Sequence, residues 1–278
     1  MDFSVLQSVY IKDNPVFLSQ SLQSILDNSL QPSKIILVKD GLLTKELDSV
    51  IENWKIKLPI KVVGYENNQG LAYALNYGLQ FVETELVARM DSDDICYPDR
   101  FEKQIEFFEK NPELSLLSGY IDEFNNNPDE IVSTRTVPLD YSTIKEYLKK
   151  RNAFNHMAVM FKKSSVIASG NYQKVPYFED YDLWIRMIQK GYVAANIPKK
   201  LVKARIGNDM IGRRHGLAYA RHELFFLKRQ LKSGFITKKE YLKLVVLRVP
   251  VRLLPKSLLQ MIYVILRHNK FEIGKPQF

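Results

Sequence analysis

The segment Arg89-Met90-Asp91-Ser92-Asp93-Asp94 sets three carboxylates within four residues, directly after the apolar run Leu86-Val87-Ala88. Clustered carboxylates repel one another. A hard divalent cation such as Mg²⁺ or Mn²⁺ relieves that repulsion with oxygen ligands and commonly shares its shell with substrate phosphates. The pattern points to a metal held against a diphosphate at the end of a strand. Its plainer reading is a solvated acidic turn capping the next helix.

The elements that must position such a cluster alternate between strand and helix patterns. Residues 3–10 read as a strand. Asn14-Pro15 then opens a helix with Leu18, Leu22, Ile25 and Leu26 on its apolar face. A short apolar strand, Ile35-Ile36-Leu37-Val38, ends at Lys39-Asp40-Gly41; a helix over 44–54 and a strand over 60–65 follow. The loop Asn67-Asn68-Gln69-Gly70 leads into a helix carrying Leu71, Leu75, Leu79 and Val82, and the next strand, 86–90, runs into the acidic cluster. Pro98 suits an early position of another helix, with Phe101, Ile105 and Phe108 in its stripe. Further strands are expected over 114–120, at an edge over 131–137, and over 156–162. Helices are expected over 141–149 and 181–190.

This alternation implies an α/β fold with a mostly parallel central sheet flanked by helices. Ligands in such sheets bind beyond the carboxyl ends of the strands, where Asp40 and Asp91 both fall. There is no G-x-G-x-x-G and no phosphate-loop lysine motif, which counts against dinucleotide dehydrogenases and P-loop enzymes.

The 278 residues are enough for one large domain or one domain with an appendage. A single cysteine, Cys96, excludes an internal disulfide and a cysteine-built zinc site, and fits a reducing compartment. The sequence opens on a strand-like run, and no secretory leader is expected. The net charge of +9 is uneven: residues 199–278 hold 19 Lys+Arg against 4 Asp+Glu, while residues 1–198 are net −6. A basic C-terminal region on a mildly acidic body points to an anionic partner surface.

Five segments, taken together and in order, resemble glycosyltransferase family 2, whose members have the GT-A fold. They are Ser8-Val9-Tyr10; Val38-Lys39-Asp40-Gly41; Asn68-Gln69-Gly70-Leu71-Ala72 with Ala74-Leu75-Asn76; Arg89 to Asp94 with Pro98 and Arg100; and Glu179-Asp180-Tyr181-Asp182-Leu183-Trp184. The match runs over roughly residues 1 to 215. It is closest to bacterial enzymes that assemble exopolysaccharide, capsule and O-antigen repeat units.

The resemblance implies a nucleotide-sugar donor, with UDP favoured and GDP or TDP left open, and an inverting, metal-dependent transfer of one sugar to an acceptor hydroxyl. Asp40 would contact the base, with Val9 and Tyr10 lining the same pocket and Asn68, Gln69 and Arg89 on the donor side. Asp91 would face the ribose or the metal, and Asp93 would hold a divalent cation, Mn²⁺ or Mg²⁺. Asp94 reads as a capping or supporting group. Asp180 would be the general base, with Glu179 able to exchange roles with it. Their alternative is an acidic first helical turn, to which Asp182 belongs. His156 and Trp184 are assigned to the acceptor side. In the Arg213-Arg214-His215 segment the arginines suit phosphate, and His215 is a candidate third metal ligand.

The domain expectation is a catalytic unit over 1–212 and a basic amphipathic helical region over 213–278. No uninterrupted apolar span reaches transmembrane length. The region reads either as an interfacial hairpin on an anionic membrane surface or as a subdomain packed on the body or a second subunit, which leaves a homodimer open. Membrane docking suits a polyprenyl-diphosphate-linked saccharide acceptor, and the expected location is cytoplasmic, peripheral on the cytoplasmic face of the inner membrane. Two other readings stand beside this one. A sugar-phosphate nucleotidyltransferase would need a glycine-rich basic loop after the first strand, where the chain has Ile11-Lys12-Asp13-Asn14-Pro15. A nucleic-acid-binding module would need interleaved exposed aromatics in the basic region, and no nucleic-acid partner is expected.

Overall fold

The computed structural model describes residues 1–206 and 215–254. Arg213, Arg214 and the apolar, basic segment beyond residue 254 lie outside the described residues. The chain forms two compact units, Met1–Arg205 and Ile206–Phe278, so the division falls a few residues before the expected boundary.

The first unit is built on a nine-stranded mixed sheet in the order β3-β2-β1-β4-β8-β6-β9-β5, with β7 paired to β6. Strands β1 (Phe3–Val9), β2 (Lys34–Asp40), β3 (Ile60–Tyr65) and β4 (Leu86–Met90) run parallel. Strand β8 (Met160–Lys162) enters antiparallel between β4 and β6 (Leu114–Phe124). Strand β6 lies parallel to β9 (Val193–Arg205), while β5 (Ile95–Cys96) and β7 (Ile131–Arg135) form antiparallel margins. Most of the paired length is parallel, and the carboxyl ends of β2, β1 and β4 share one edge.

Helices cover both faces. Helix α1 (Pro15–Leu26) starts where Asn14 accepts the Val16 amide at 2.8 Å, and Pro15 brings a preset φ to its first turn. Leu18, Leu22 and Ile25 of α1 join Leu47 and Ile51 of α2 (Lys45–Lys55) and Phe101 and Ile105 of α4 (Arg100–Lys110) in one buried cluster. Strand residues Val5, Val9, Ile35 and Leu37 belong to it as well. The alternate residues Leu6, Ile36 and Val38 meet α3 (Leu71–Leu79) on the other face, as the two-residue period of a strand requires. Helices α5 (Tyr141–Leu148), α6 (Lys163–Ala168) and α7 (Glu179–Gln189) complete the unit.

Three of the elements that depart from the sequence reading bear on the site. The expected strand over 156–162 is divided. His156–Ala158 is a 3-10 turn closed by the Ala158 amide on the Asn155 carbonyl, and only Met160–Lys162 is extended. The 13-residue strand β9 gives no simple strand signal because Pro198-Lys199-Lys200 interrupts it. It still pairs because its register on β6 jumps from Gly119 opposite Ile197 to Tyr120 opposite Lys200, which leaves the proline in a bulge. The two-residue strand β5 is too short to read. It matters because it draws the end of β9 against the acidic loop.

In the second unit, α8 (Gly216–Lys232) and α9 (Lys238–Leu253) pack against each other. Thr237 and Glu240 form a reciprocal capping box at the start of α9. Glu223 of α8 is fully buried and takes Arg252 at 2.7 Å together with Arg248, both from α9. Among the described residues no helix is long and apolar enough to cross a membrane.

Close packing of α3 on the sheet yields a test. A Cβ on Gly78 would lie 2.5 Å from Leu6 Cδ1 and 2.6 Å from Val38 Cγ2. Gly78→Ala is expected to destabilise the fold by about 1–3 kcal/mol through overpacking, despite the better helix propensity of alanine. A urea midpoint at or above the wild type would contradict this packing.

Candidate active site

The carboxyl end of β4 delivers Asp91, Ser92, Asp93 and Asp94 into a loop held from several directions. Gln7 of β1 and Ser21 of α1 each donate to the Asp91 carbonyl at 3.0 Å. Ser92 donates to Asp13 at 2.8 Å, and the Arg205 amide donates to Asp94 at 2.9 Å. Arg100, with no exposed surface, donates to the Arg89 carbonyl at 2.7 Å and so fixes the strand end from behind.

These constraints bring one carboxylate oxygen each from Asp91, Asp93 and Asp94 within 4.8 Å of one another. Burial, with the charge of Asp91 added, pushes the Asp93 carboxyl up to about 6 and raises Asp94 well above the usual carboxylate range. Asp13 also rises to about 6, mainly through burial, although bonds from Ser92 and the Tyr10 amide oppose the shift. The loop therefore holds more negative charge than its neighbours balance. A hard cation with oxygen ligands fits it, with Asp91 and Asp93 as the more accessible donors and Asp94 buried behind them.

Arg89, expected on the donor side, sits in the interior of the site. It is buried beneath Asp91 and gives both terminal nitrogens to that carboxylate, one at 2.6 Å. It thus orients Asp91 and supplies part of the missing positive charge. Arg205, which the sequence reading passes over, supplies more. Its Nε donates to the Asp93 carbonyl at 3.2 Å and one terminal nitrogen to Gln20 at 2.8 Å, while its guanidinium stacks on Phe17 and Phe124.

At the end of β2, Asp40 is buried and already fully bonded by the protein. One oxygen accepts from the Tyr65 hydroxyl at 2.9 Å and the Gln69 amide at 2.7 Å; the other accepts from the Asn68 side chain at 2.9 Å and the Gly70 amide at 3.0 Å. Four donors fill the acceptor capacity of a carboxylate. In this structure Asp40 is the clasp that fastens the 67–70 loop and caps α3, whose own N-cap, Gly70, has no side chain to offer. Gly41, at φ +90°, makes the clasp possible, because a Cβ there would meet the Asn68 amide nitrogen at 2.8 Å. Val9 is buried, and Tyr10 stands exposed beside this loop edge at the end of β1.

A second pair of carboxylates lies at the start of α7. Asp180 and Glu179 are half-buried, and Asp180 accepts from Asn152 at 2.7 Å. Burial raises both pKa values; the Asp180 charge helps push Glu179 to about 7. Arg89 lowers Glu179 and Asp91 raises it, so the two acidic groups sense each other within one site. Asp182 stands apart as a structural group. It is buried and paired with Arg186 at 2.8 Å, and Arg186 also ties down the Ser169 and Asn171 carbonyls.

Between the acidic groups lies a wall of aromatic side chains. The His156 Nε2 bonds the Tyr172 hydroxyl at 3.0 Å, and burial holds the imidazole neutral, well below its usual pKa. Asn76 clamps the Tyr172 backbone at both its amide and its carbonyl, at 3.0 and 2.7 Å. Trp184 is fully buried against His156, Tyr172, Phe154 and Phe161. It backs the aromatic wall and has no exposed surface of its own. His215 belongs to the second unit, where its Nε2 bonds the Leu254 carbonyl at 2.6 Å. That bond fixes the proton on Nε2 and leaves Nδ1 as the nitrogen able to ligate.

Asp13, Asn152, Tyr172 and Arg205 escape the sequence reading because their partners lie far along the chain. Only the aspartate in Ile11-Lys12-Asp13 next to a helix cap carried a local signal, and that signal was for a turn.

Comparison with known proteins agrees with this geometry. The profile described as Glycosyl transferase family 2 matches residues 4–167. The amylovoran biosynthesis glycosyltransferase AmsE of Erwinia amylovora is 41% identical over 264 residues, covering 94% of this chain and 97% of its own. A protein of Escherichia coli named UDP-Gal:alpha-D-GlcNAc-diphosphoundecaprenol beta-1,3-galactosyltransferase is 40% identical over 261 residues, 94% of each chain. Among solved structures, the mannosyltransferase PcManGT from Pyrobaculum calidifontis, in complex with GDP-Man and Mn²⁺, superposes with a TM-score of 0.66 at 16% identity, covering 96% of this chain and 81% of its own. S. aureus TarS 1-349 in complex with UDP-GlcNAc gives 0.65 at 14% identity, covering 88% and 70%. The strand order, the acidic loop at the end of β4 and these matches lead to one assignment: the chain belongs to glycosyl transferase family 2, has a GT-A-like fold and is a glycosyltransferase.

Proposed function

We propose that this enzyme transfers one sugar, with inversion, from a UDP-sugar to a hydroxyl of a saccharide carried on a polyprenyl diphosphate, in bacterial surface polysaccharide synthesis. The observation that carries the reading is the meeting of two acidic groups in one site: a β4 loop short of positive charge, and a half-buried carboxylate pair with raised pKa. The name of the E. coli relative supplies the first substrates to try, UDP-galactose and GlcNAc-diphosphoundecaprenol. Such an acceptor would bring the reaction to a membrane surface, on the cytoplasmic side.

Asp91 and Asp93 would hold a divalent cation, Mn²⁺ or Mg²⁺, which when bound neutralises charge developing on the departing nucleoside diphosphate. Arg89 keeps Asp91 in place for that task, and Arg205 keeps the loop from spreading. Val9, Tyr10 and the clasped 67–70 loop form the nucleotide side. For Asp40 to read the base directly, it would have to release one of its four present donors. Asp180, oriented by Asn152, takes the proton from the acceptor hydroxyl, and burial raises its affinity for that proton. With the diphosphate covering one face of the anomeric carbon, the acceptor attacks from the other. One base and one displacement then suffice, without the nucleophile and acid pair of a retaining hydrolase.

Asp93→Asn should lower kcat by at least about 10²–10³-fold, with the melting temperature held near the wild type. Chelation of the wild type should abolish transfer, and added Mn²⁺ or Mg²⁺ should restore it. Full activity of the variant in the presence of chelator would refute the cation site.

The base also predicts a pH dependence. Burial raises the Asp180 pKa above the ordinary aspartate value, so acidification protonates the base earlier than it would an exposed carboxylate. Transfer should rise with pH as Asp180 loses its proton and level off above that point; Glu179, raised to about 7, titrates beside it. A folded-state pKa raised above the unfolded one contributes stability at low pH that is lost as pH rises through 7. Glu179→Gln should therefore raise stability at alkaline pH, by about 1 kcal/mol after discounting for partial exposure, and Asp180→Asn should keep UDP binding while losing transfer. Transfer that does not fall on acidification of the folded enzyme, or normal transfer by Asp180→Asn, would place the base elsewhere.

A further inference from the structure

Helix α9 buries little of its apolar surface. Leu244 is its one buried residue, whereas Leu242, Val246, Leu247 and Leu253 are 50–63% exposed. Leu242, Val246, Pro250 and Leu253 recur at i, i+4, i+8 and i+11, which traces a single stripe along the helix, with Leu247 at its flank. Lys239 and Lys243 lie on the same face, at the amino-terminal end of the stripe. Exposed apolar side chains scattered singly are ordinary, but a helix-long stripe of them marks an interaction surface.

Its charge identifies the partner. Residues 215–254 hold nine Lys+Arg and two Asp+Glu. Both acids are engaged: Glu223 is buried under Arg248 and Arg252, and Glu240 closes the capping box. The surface that remains is apolar along the stripe and cationic at its amino-terminal end. A two-fold contact of this face with a second copy would give the lysines no carboxylate, because the stripe carries none and both acids among residues 215–254 are engaged. A nucleic-acid backbone would satisfy the lysines but leave the aliphatic stripe in water. An anionic lipid surface satisfies both: phosphates take the lysine ammonium groups while their aliphatic stems and the leucines enter the acyl boundary. Five cations within its 16 residues prevent α9 from crossing the bilayer.

We propose that this face of α9 docks the enzyme on a membrane rich in anionic phospholipid, with Leu242, Val246, Leu247, Pro250 and Leu253 inserted and Lys239 and Lys243 on headgroups. The inference concerns the second unit alone and does not depend on the sugar or the base.

The test is co-sedimentation of the full chain, without substrates, with vesicles of phosphatidylcholine alone or mixed with phosphatidylglycerol. The wild type should bind the anionic vesicles and largely ignore the neutral ones. Leu242→Glu/Val246→Glu and, separately, Lys239→Glu/Lys243→Glu should each reduce binding about tenfold. Amide hydrogen exchange on the unmodified chain requires no substitution, and vesicle-dependent protection should concentrate in 238–253. The proposal fails if the wild type binds neither vesicle, if both variants bind as well as the wild type, or if vesicles leave α9 exchange unchanged. It also fails if light scattering shows a dimer that Leu242→Glu/Val246→Glu dissociates, because the stripe would then be the contact between copies.

Discussion

The structure depends on keeping three aspartates together that repel one another. At the end of β4 the carboxylates of Asp91, Asp93 and Asp94 converge within 4.8 Å, and burial first, with the neighbouring charge second, raises the proton affinities of Asp93 and Asp94. In water such a loop would open. Here it is gripped by side chains from β1, α1, β4 and the end of β9, and each grip is a hydrogen bond to a particular atom of the loop. The folding energy of the sheet is thereby used to hold an arrangement whose electrostatics ask for a cation and a polyanionic ligand.

The sheet order explains why the grips exist. Parallel strands β2, β1 and β4 end on one edge, so Gln7 of β1 reaches the Asp91 carbonyl and Asp40 of β2 reaches the 67–70 loop. The long strand β9 then brings Arg205 to the loop from more than a hundred residues away, through its short pairing with β5. The second acidic group depends on a different set of supports. Asn152 precedes the 3-10 turn, Asn76 comes from α3, and Arg186 fastens the segment around Ser169 and Asn171. The two acidic halves of the site are thus held by separate parts of the fold, and Glu179 feels the charges of Arg89 and Asp91.

The parts legible in the sequence were those with local signatures. An apolar run ending in acids gave β4 and its loop; Asn14-Pro15 gave the start of α1; the 3.6-residue stripes gave α4 and α7. What stayed hidden was carried by long-range partners or by interrupted patterns. Pro198-Lys199-Lys200 masked β9, and with it Arg205, because a proline in a strand argues against the strand unless a bulge absorbs it. Asp40 was legible as a residue at a ligand-binding edge, but its saturation by Tyr65, Asn68, Gln69 and Gly70 was not, since no spacing rule gives the number of donors around a carboxylate. Arg89 illustrates the same limit. The resemblance groups it with the donor-side residues, and only the structure shows that it is buried with both terminal nitrogens on Asp91.

The most direct test of the central claim is calorimetric titration of the full chain with UDP, once with Mn²⁺ and once with chelator. If the acidic loop joins protein to diphosphate through a cation, UDP should bind at least about tenfold more tightly with Mn²⁺, and Asp93→Asn should remove the difference. Equal affinity under both conditions would contradict the account, because the converged aspartates would then be an obstacle to a diphosphate and not its seat.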